Sequence, residues 1–329
     1  MIITRTPLRI SIGGGGTDLP SYYKEFGGFV ISAAINKYIY FNVNRSFFPG
    51  YFLKYSETEH AETVDAIRHR LIRETLTVFP VPDPLEIVSI ADVPAGTGLG
   101  SSGAFTVGLI HALLAHNRAL VDSELLAASA VHIEMERLGE PVGKQDQYIA
   151  AYGGILVQEY NADGMVQVYP LTMADEALYE LRDSLMLFFV GTTRSASDLL
   201  QDQKKRSEQR DHAMIDSLHF AKQLGREIGE VLKAGDILRF GDLMHEHWLR
   251  KRQRSCGMSN ERVDELYDLA RSKGAATGGK LVGAGGSGFL LFHTRDRARL
   301  RRTMSEAGVR EMDFSFDFQG SVVQLRNSG

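Results

Sequence analysis

The sequence predicts a two-domain α+β protein, and three observations carry that prediction. Its 329 residues suit about two domains of ordinary size. Strand-patterned runs separated by glycine loops dominate the first half, whereas helical patterns outnumber strand-like runs and alternate with them in the second. Between the halves the composition shifts, and Leu171–Leu181 reads as a linker.

Residues 2–12 alternate enough to read as two short strands parted by Pro7. Gly13-Gly-Gly-Gly-Thr-Asp18 follows, a run that allows a tight turn and brings backbone close to a bound molecule. Asp18 is a short, rigidly placed acceptor suited to sugar hydroxyls, or equally an Asx-turn or cap before Leu19-Pro20. Gly28–Ile35 and Tyr38–Asn44 read as a strand pair, and residues 59–78 carry a helical pattern that Pro80 ends.

Leu85–Ala91 has strand composition, and Phe105–Leu114 has helical spacing. Between them lies Pro94-Ala-Gly-Thr-Gly-Leu-Gly-Ser-Ser-Gly-Ala104. A strand, a glycine-rich loop and a helix start present unpaired N–H groups and partial positive charge, which suits a phosphate. Ser101 and Ser102 add hydroxyls where a phosphate or its metal ion would sit. Two decoys overlap such loops. Gly98-Leu-Gly-Ser-Ser-Gly103 matches the dinucleotide fingerprint, but Asp122 opens a helical segment instead of ending a second strand. Gly274-Ala-Ala-Thr-Gly-Gly-Lys280 begins like a Walker A loop, but Leu281 stands where its metal-binding hydroxyl must be.

Residues 122–138 read as a helix capped by Asp122 or Ser123, with Glu134 and Glu136 near its end. Gly139–Gln147 is a short polar segment able to place the Asp146 carboxylate inside a cleft, with Lys144 beside it; surface salt bridges are the bland alternative. Gly154–Tyr160 and Met165–Pro170 form a hairpin, and Leu185–Val190 is a buried strand leading to Arg194, a candidate phosphate or carboxylate ligand or a rim ion pair. Ala213–Leu232 is amphipathic, Asp236 caps another helix, and Ser259 or Asn260 caps a third that ends near Gly274. His245 and His247 fall on different helix faces, which argues against a metal site. Strand-like Phe289–His293, helical Arg297–Ala307 and strand-like Ser321–Leu325 close the chain.

Hydrophobic content of 43% and charged content of 24% are ordinary for a protein with a sizeable core. A net charge of −4 gives no reason to expect nucleic acid or anionic membrane as the main partner. Arginines clustered from Arg295 to Arg302 read as a solvated helix face. Cys256 is the only cysteine, so the sequence offers neither an intrachain disulfide nor a cysteine metal site. With no signal-like start and no apolar run near the ~20 residues of a membrane span, a soluble cytoplasmic protein is expected. Oligomeric state is not legible.

Three glycine loops, two helix-end acids and one later aspartate stand in an order that resembles the GHMP kinases, the superfamily of galactokinase, homoserine kinase, mevalonate kinase and phosphomevalonate kinase. Pro7–Asp18 resembles its first motif, Pro94–Ala104 its second, and Lys280-Leu-Val-Gly-Ala-Gly-Gly-Ser-Gly-Phe289 its third. Within the superfamily, Gly143–Gln147, Thr192–Arg194 and the Ser259-Asn260 helix look most like D-glycero-D-manno-heptose 7-phosphate kinases. The resemblance implies an N-terminal ribosomal-protein-S5-like ATP-binding domain over residues 1–175. It implies a C-terminal ferredoxin-like domain over 176–329, with the active site in the cleft between.

The resemblance also implies roles. Pro94, Gly96, Thr97, Gly98, Leu99, Gly100, Ser101, Ser102 and Gly103 would wrap the ATP triphosphate, and Ser102 and Glu134 would hold Mg2+. Glu134 precedes Asp146 in the galactokinase pattern E-x-x-x-x-G-x-P-x-G-x-x-D without gaps. Asp146 matches the catalytic aspartate, Arg9 its paired arginine, and Lys144 a further cation; Gly15, Gly16, Thr17, Asp18, Arg194 and Gly285 would face the sugar. Ser287 replaces a usual glycine, and Gly15-Gly16 replaces the Glu-His of galactokinases, which argues against galactose. The expected activity is ATP- and Mg2+-dependent phosphorylation of C1 of D-glycero-D-manno-heptose 7-phosphate, serving activated-heptose synthesis for cell-surface glycans. Unphosphorylated heptose or fucose is the alternative acceptor, and an NAD-dependent oxidoreductase the remote alternative.

Overall fold

The structure, a computed structural model, describes residues 1–326 apart from 192–195, 256, 284 and 287. Strand β1 (Ile2–Gly13) runs beside β2 (Gly28–Arg45), with helix α1 (Pro20–Phe26) between them. Each is one continuous strand where the sequence predicted two. The register shifts between Pro7 and Leu8, which face Tyr38 and Ile35. That bulge absorbs two residues of β2 at the proline, which has no N–H to give the ladder, so both strands pass the site unbroken.

The 18 residues of β2 serve two partners: the first part pairs with β6 (Ile155–Tyr160), the second with β5 (Leu85–Ala91). Strands β3 (Tyr51–Lys54) and β4 (Thr58–Ala61) extend the β5 side, and β7 (Val166–Pro170) extends the β6 side. The helix predicted over 59–78 is therefore confined to α2 (Arg70–Val78), because Glu59 and Ala61 turn inward on a strand too short to reveal its two-residue period.

Helix α3 (Ser101–His116) crosses this sheet and is covered by α4 (Ser123–Val131) and α5 (Gln145–Tyr152). Val107, Leu109, Ile110 and Leu113 are fully buried around its circumference, as expected of a helix packed on every side. After α4 the chain continues as a π-helical turn, His132–Arg137.

The predicted linker is mostly helix α6 (Asp175–Ser184), which buries Ala177 and Leu181 and has two acids in its first turn, where the helix dipole favours them. Then follow β8 (Leu185–Gly191), α7 (Ala196–Glu208), α8 (His212–Lys233), α9 (Ile237–Lys251) and α10 (Glu261–Ser272). Next come β9 (Ala276–Leu281), β10 (Gly288–Thr294), α11 (Arg297–Glu306), β11 (Arg310–Met312) and β12 (Val322–Arg326). The second sheet has the antiparallel order β11-β8-β10-β9. The Walker-like run is strand β9, whose glycines let α9 lie on it. Strand β12 pairs with β1, so the last strand joins the first sheet. Among the described residues, no helix is long and apolar enough to cross a membrane.

Candidate active site

The glycine loop after β5 ends at Gly100, a left-handed N-cap with φ 76°, and α3 begins at Ser101. The first-turn N–H groups of α3, unpaired within the helix, sit beside the loop. The loop is braced from two sides. Arg9 donates from its guanidinium to the Gly98 carbonyl (2.5 Å) and from its backbone to the Leu99 carbonyl (2.9 Å). The third glycine loop packs on it backbone to backbone: a Cβ on Gly98 would stand 2.5 Å from the Val282 carbonyl oxygen. Thr97 and Leu99 are fully buried, and the Thr97 hydroxyl donates to the Pro94 carbonyl (3.0 Å). They shape the loop from behind, a correction to their expected place on the ligand side.

Asp146 lies in the first turn of α5. Arg9 grips it with two parallel bonds, Nε to Oδ1 at 2.8 Å and Nη2 to Oδ2 at 2.9 Å, the fork geometry that fixes a carboxylate plane. Gly103 lets α3 approach this turn, since a Cβ there would meet Asp146 at 2.9 Å. Asp18 is buried beside the same turn and accepts from the Gln145 backbone N–H (3.3 Å). Burial first, and the charge of Asp146 second, push the Asp18 carboxyl above its ordinary range. It caps no helix, because the residue before α1 is Leu19.

Behind the phosphate loop, the π-helical turn carries Glu134, buried, into hydrogen-bond contact with Ser102; Gln147 Nε2 donates to it at 3.1 Å. Burial pushes the Glu134 carboxyl up to about 7. Its neighbours are neutral donors, so its charge lacks a local cation. A hydroxyl and a carboxylate at the start of the phosphate-loop helix are the hard oxygen donors that Mg2+ prefers, so these residues fit that ion.

A set of cations escaped the sequence reading. Lys251, Arg254 and Lys280 are 8%, 6% and 1% exposed and face one cavity together with Arg9. Lys251 Nζ donates to the Leu281 and Gly283 carbonyls (2.9 and 2.6 Å). Lys280 Nζ donates to the Ile12 carbonyl (2.9 Å) and lies 3.4 Å from His247 Nδ1. Burial first, then the neighbouring cations, pull Lys251 down to about 7 and hold Lys280 well below its ordinary value. The signal was the i, i+4 spacing of His247 and Lys251, which puts both on the buried face of α9, with Arg254 in the turn that follows.

Arg9, Gly15, Gly16, Asp18, Pro94, Gly96, Gly98, Gly100, Ser101, Ser102 and Asp146 thus share the wall of a cavity of about 620 Å³. Its far end is apolar, with Ile39, Tyr55, Leu71, Val93 and Phe105, and suits a flat aromatic base. Three expectations are corrected. Lys144 does not join Asp146 in this wall: its ammonium donates to the Gly164 carbonyl (2.5 Å) and lies over the Tyr23 ring. Thr17 is fully buried, its hydroxyl committed to the Gly14 and Phe29 carbonyls (2.8 and 2.9 Å). Gly285 packs against Met258, and Gly283 is the glycine of that loop that lines the cavity. Arg194 and Ser287 lie outside the described residues.

Comparison with known proteins agrees with this architecture. Residues 62–154 match the GHMP kinases N terminal domain and residues 229–310 the GHMP kinases C terminal domain. The chain is 31% identical to a D-glycero-alpha-D-manno-heptose 7-phosphate kinase of Campylobacter jejuni over 97% of both chains. It is 27% identical to a bifunctional fucokinase/GDP-fucose pyrophosphorylase of Arabidopsis thaliana, over 91% of this chain and 31% of that protein. Its fold matches the crystal structure of a D-glycero-D-manno-heptose 1-phosphate kinase from Bacteroides thetaiotaomicron with TM-score 0.82, 24% identity and full coverage of both chains. With two family domains in sequence order and a relative aligned nearly end to end, the chain belongs to the GHMP kinases.

Proposed function

We propose that the protein is an ATP-dependent kinase that phosphorylates the anomeric C1 hydroxyl of D-glycero-D-manno-heptose 7-phosphate, giving the 1,7-bisphosphate for activated-heptose and cell-surface glycan synthesis. The observation that carries the reading is Asp146. Held by Arg9, it shares one cavity wall with the phosphate loop and with Asp18. The choice of sugar is supported by the likeness to the Campylobacter jejuni heptose 7-phosphate kinase.

The residues divide the work simply. The loop from Pro94 to Gly100 and the first turn of α3 bind the triphosphate through N–H groups. Ser102 and Glu134 are the residues to hold Mg2+, which neutralises phosphate charge when bound. Asp18 accepts from sugar hydroxyls and aligns the acceptor. Arg9 takes one lone pair of each Asp146 oxygen and leaves the others free to accept the C1 hydroxyl proton. As that proton leaves, the C1 oxygen bonds to the γ-phosphorus and the bond to the β-phosphate oxygen breaks, releasing ADP. Arg9, with Lys251 and Lys280 behind it, offsets negative charge on the transferred group.

An ADP-release assay over heptose 7-phosphate, free heptose, fucose, galactose and mevalonate tests the proposal. Heptose 7-phosphate is expected to give the highest kcat/KM. No turnover of it, with clear turnover of another sugar, would overturn the substrate assignment.

A further inference from the structure

Transfer chemistry at Asp146 does not account for Arg254. This arginine stands in the turn after α9, outside the family's glycine motifs, yet its Nη1 donates to the Gly15 carbonyl (3.3 Å) and its Nε to Ser217 Oγ (3.1 Å). Among the described residues no carboxylate lies within 4.0 Å of Arg254, Lys251 or Lys280, and none has a hydrogen bond to the remaining terminal nitrogen of Arg254. Buried cations are ordinarily paired, because an uncompensated charge in low dielectric is costly.

Two neutral groups in the same wall are also without partners. Ser11 Oγ and His247 Nε2 are buried and make no hydrogen bond, although both residues are more than nine-tenths buried and line the cavity. Lys280 Nζ already donates to the Ile12 carbonyl and lies 3.4 Å from His247 Nδ1; with Nδ1 accepting there, the ring hydrogen stands on Nε2. Ser11 Oγ stands beside Gly15, 3.1 Å from where a Cβ on that glycine would lie. A hydroxyl and a guanidinium therefore meet at the Gly15–Gly16 turn, and the His247 imidazole and two lysines line the same cavity. The groups are donors, the field is positive, and no acid answers it. That combination suits a dianion.

The position of the corner identifies the anion's owner. The turn that Arg254 touches is the turn that carries Asp18, the residue that the proposed function sets against the acceptor. The nucleotide phosphates belong to the loop at Gly96–Ser102 on α3. Resting on the proposed kinase reading, we infer that Arg254, Ser11 and His247 form a subsite for a phosphomonoester that the acceptor sugar carries away from the hydroxyl it presents to Asp146. Lys251 and Lys280 supply supporting field. This assigns distal-phosphate recognition to α9, the turn after it and β1.

Two variants and two assays test it. Arg254→Gln is expected to raise KM for heptose 7-phosphate about 10-fold or more, the loss typical of one charged hydrogen bond, with KM for free heptose and for ATP within about twofold. Ser11→Ala removes one oxygen and is expected to raise the same KM about 3- to 10-fold. It decides the matter if Arg254→Gln fails to fold by circular dichroism. Equal rises for both sugars, no rise for either, or a rise confined to ATP would overturn the assignment. Inorganic phosphate titrated by calorimetry into protein saturated with a non-hydrolysable ATP analogue and Mg2+ tests the subsite without any sugar. Binding to the wild type that weakens in both variants supports it; no binding, or equal binding in all three, refutes it. Should the wild type turn over no heptose 7-phosphate while this phosphate binding holds, the substrate reading fails and the subsite stands.

Discussion

Gly143 is the position where one added methyl group reaches furthest into the site. A Cβ there would stand 1.8 Å from Asp18 Oδ2 and 2.4 Å from its Cγ, where ordinary contact begins at 3.4 Å. The carboxylate must therefore retreat by about 1.6 Å, since the backbone of Gly143 is fixed between the π-helical turn and α5. Retreat breaks the bond from the Gln145 N–H, a charge-assisted contact worth about 1.5–3 kcal/mol. A displacement of ~1 Å at a positioning group costs about 100-fold in rate. Gly143→Ala is thus expected to lower kcat/KM for the sugar about 100-fold while leaving KM for ATP within about twofold, since the phosphate loop is not touched. The assay is steady-state ADP release with each substrate varied, alongside urea unfolding to confirm that the variant is folded. Wild-type sugar kinetics in a folded Gly143→Ala protein would refute the placement of Asp18 against the acceptor.

Asp146→Asn is expected to remove turnover, a loss of at least about 1000-fold, with ATP affinity nearly intact by calorimetry; near-wild-type turnover would take Asp146 out of the mechanism. Arg9→Lys keeps the charge but loses the fork, and is expected to lower kcat about 10- to 100-fold with little change in sugar KM, read by the same assay. Glu134 gives a pH signature. Its folded value of about 7 lies above the ordinary 4.5, so the native state holds a proton that the unfolded chain has lost. The contribution is present below pH 4.5 and lost as pH rises to about 7, a fall of about 3 kcal/mol that urea unfolding without Mg2+ at pH 5 and pH 8 should resolve and Glu134→Gln should flatten. Thr17→Val strips a buried hydroxyl from two carbonyls and is expected to destabilise the fold by about 1–3 kcal/mol in urea, without selective loss of sugar affinity.

Much of the fold was legible because its signals are local. Strand β5, the glycine loop and α3 declared themselves by composition and period, as did the β6–β7 hairpin, α8 and α9. Elements set by non-local pairing were not. Strand β2 reads as two strands until the bulge opposite Pro7 shows how it stays one, and β9 reads as a loop because its glycines serve the helix above it. At the site, the groups that the family motifs name converge when regular backbone or a tight turn fixes them, as strand β1 does Arg9, the glycine turn Asp18, and the helical turns Ser102, Glu134 and Asp146. Lys144 does not, because a long side chain at a helix start goes where a partner waits, here the hairpin carbonyl of Gly164. Arg254, Lys251 and Lys280 were missed for the opposite reason. A long cationic side chain, whether on a helix (Lys251), in a turn (Arg254) or on a strand (Lys280), reads as solvated until the fold reveals that it points inward.

The return of the chain to the first sheet has a mechanical consequence. Two stretches join the sheets, residues 171–184, which include α6, and residues 313–321, so the halves of the cleft do not swing on a single tether. The second stretch is clamped on arrival: Asp317 exchanges backbone bonds with Ala34 (2.9 Å) and Gly154 (2.6 Å), and Ser321 donates to the Ala151 carbonyl (3.4 Å). Ala151 lies near the C-terminal end of α5, the helix whose first turn presents Asp146. The returning chain and Asp146 therefore meet at opposite ends of one short helix, so α5 is anchored at its far end by the segment that comes back from the second sheet.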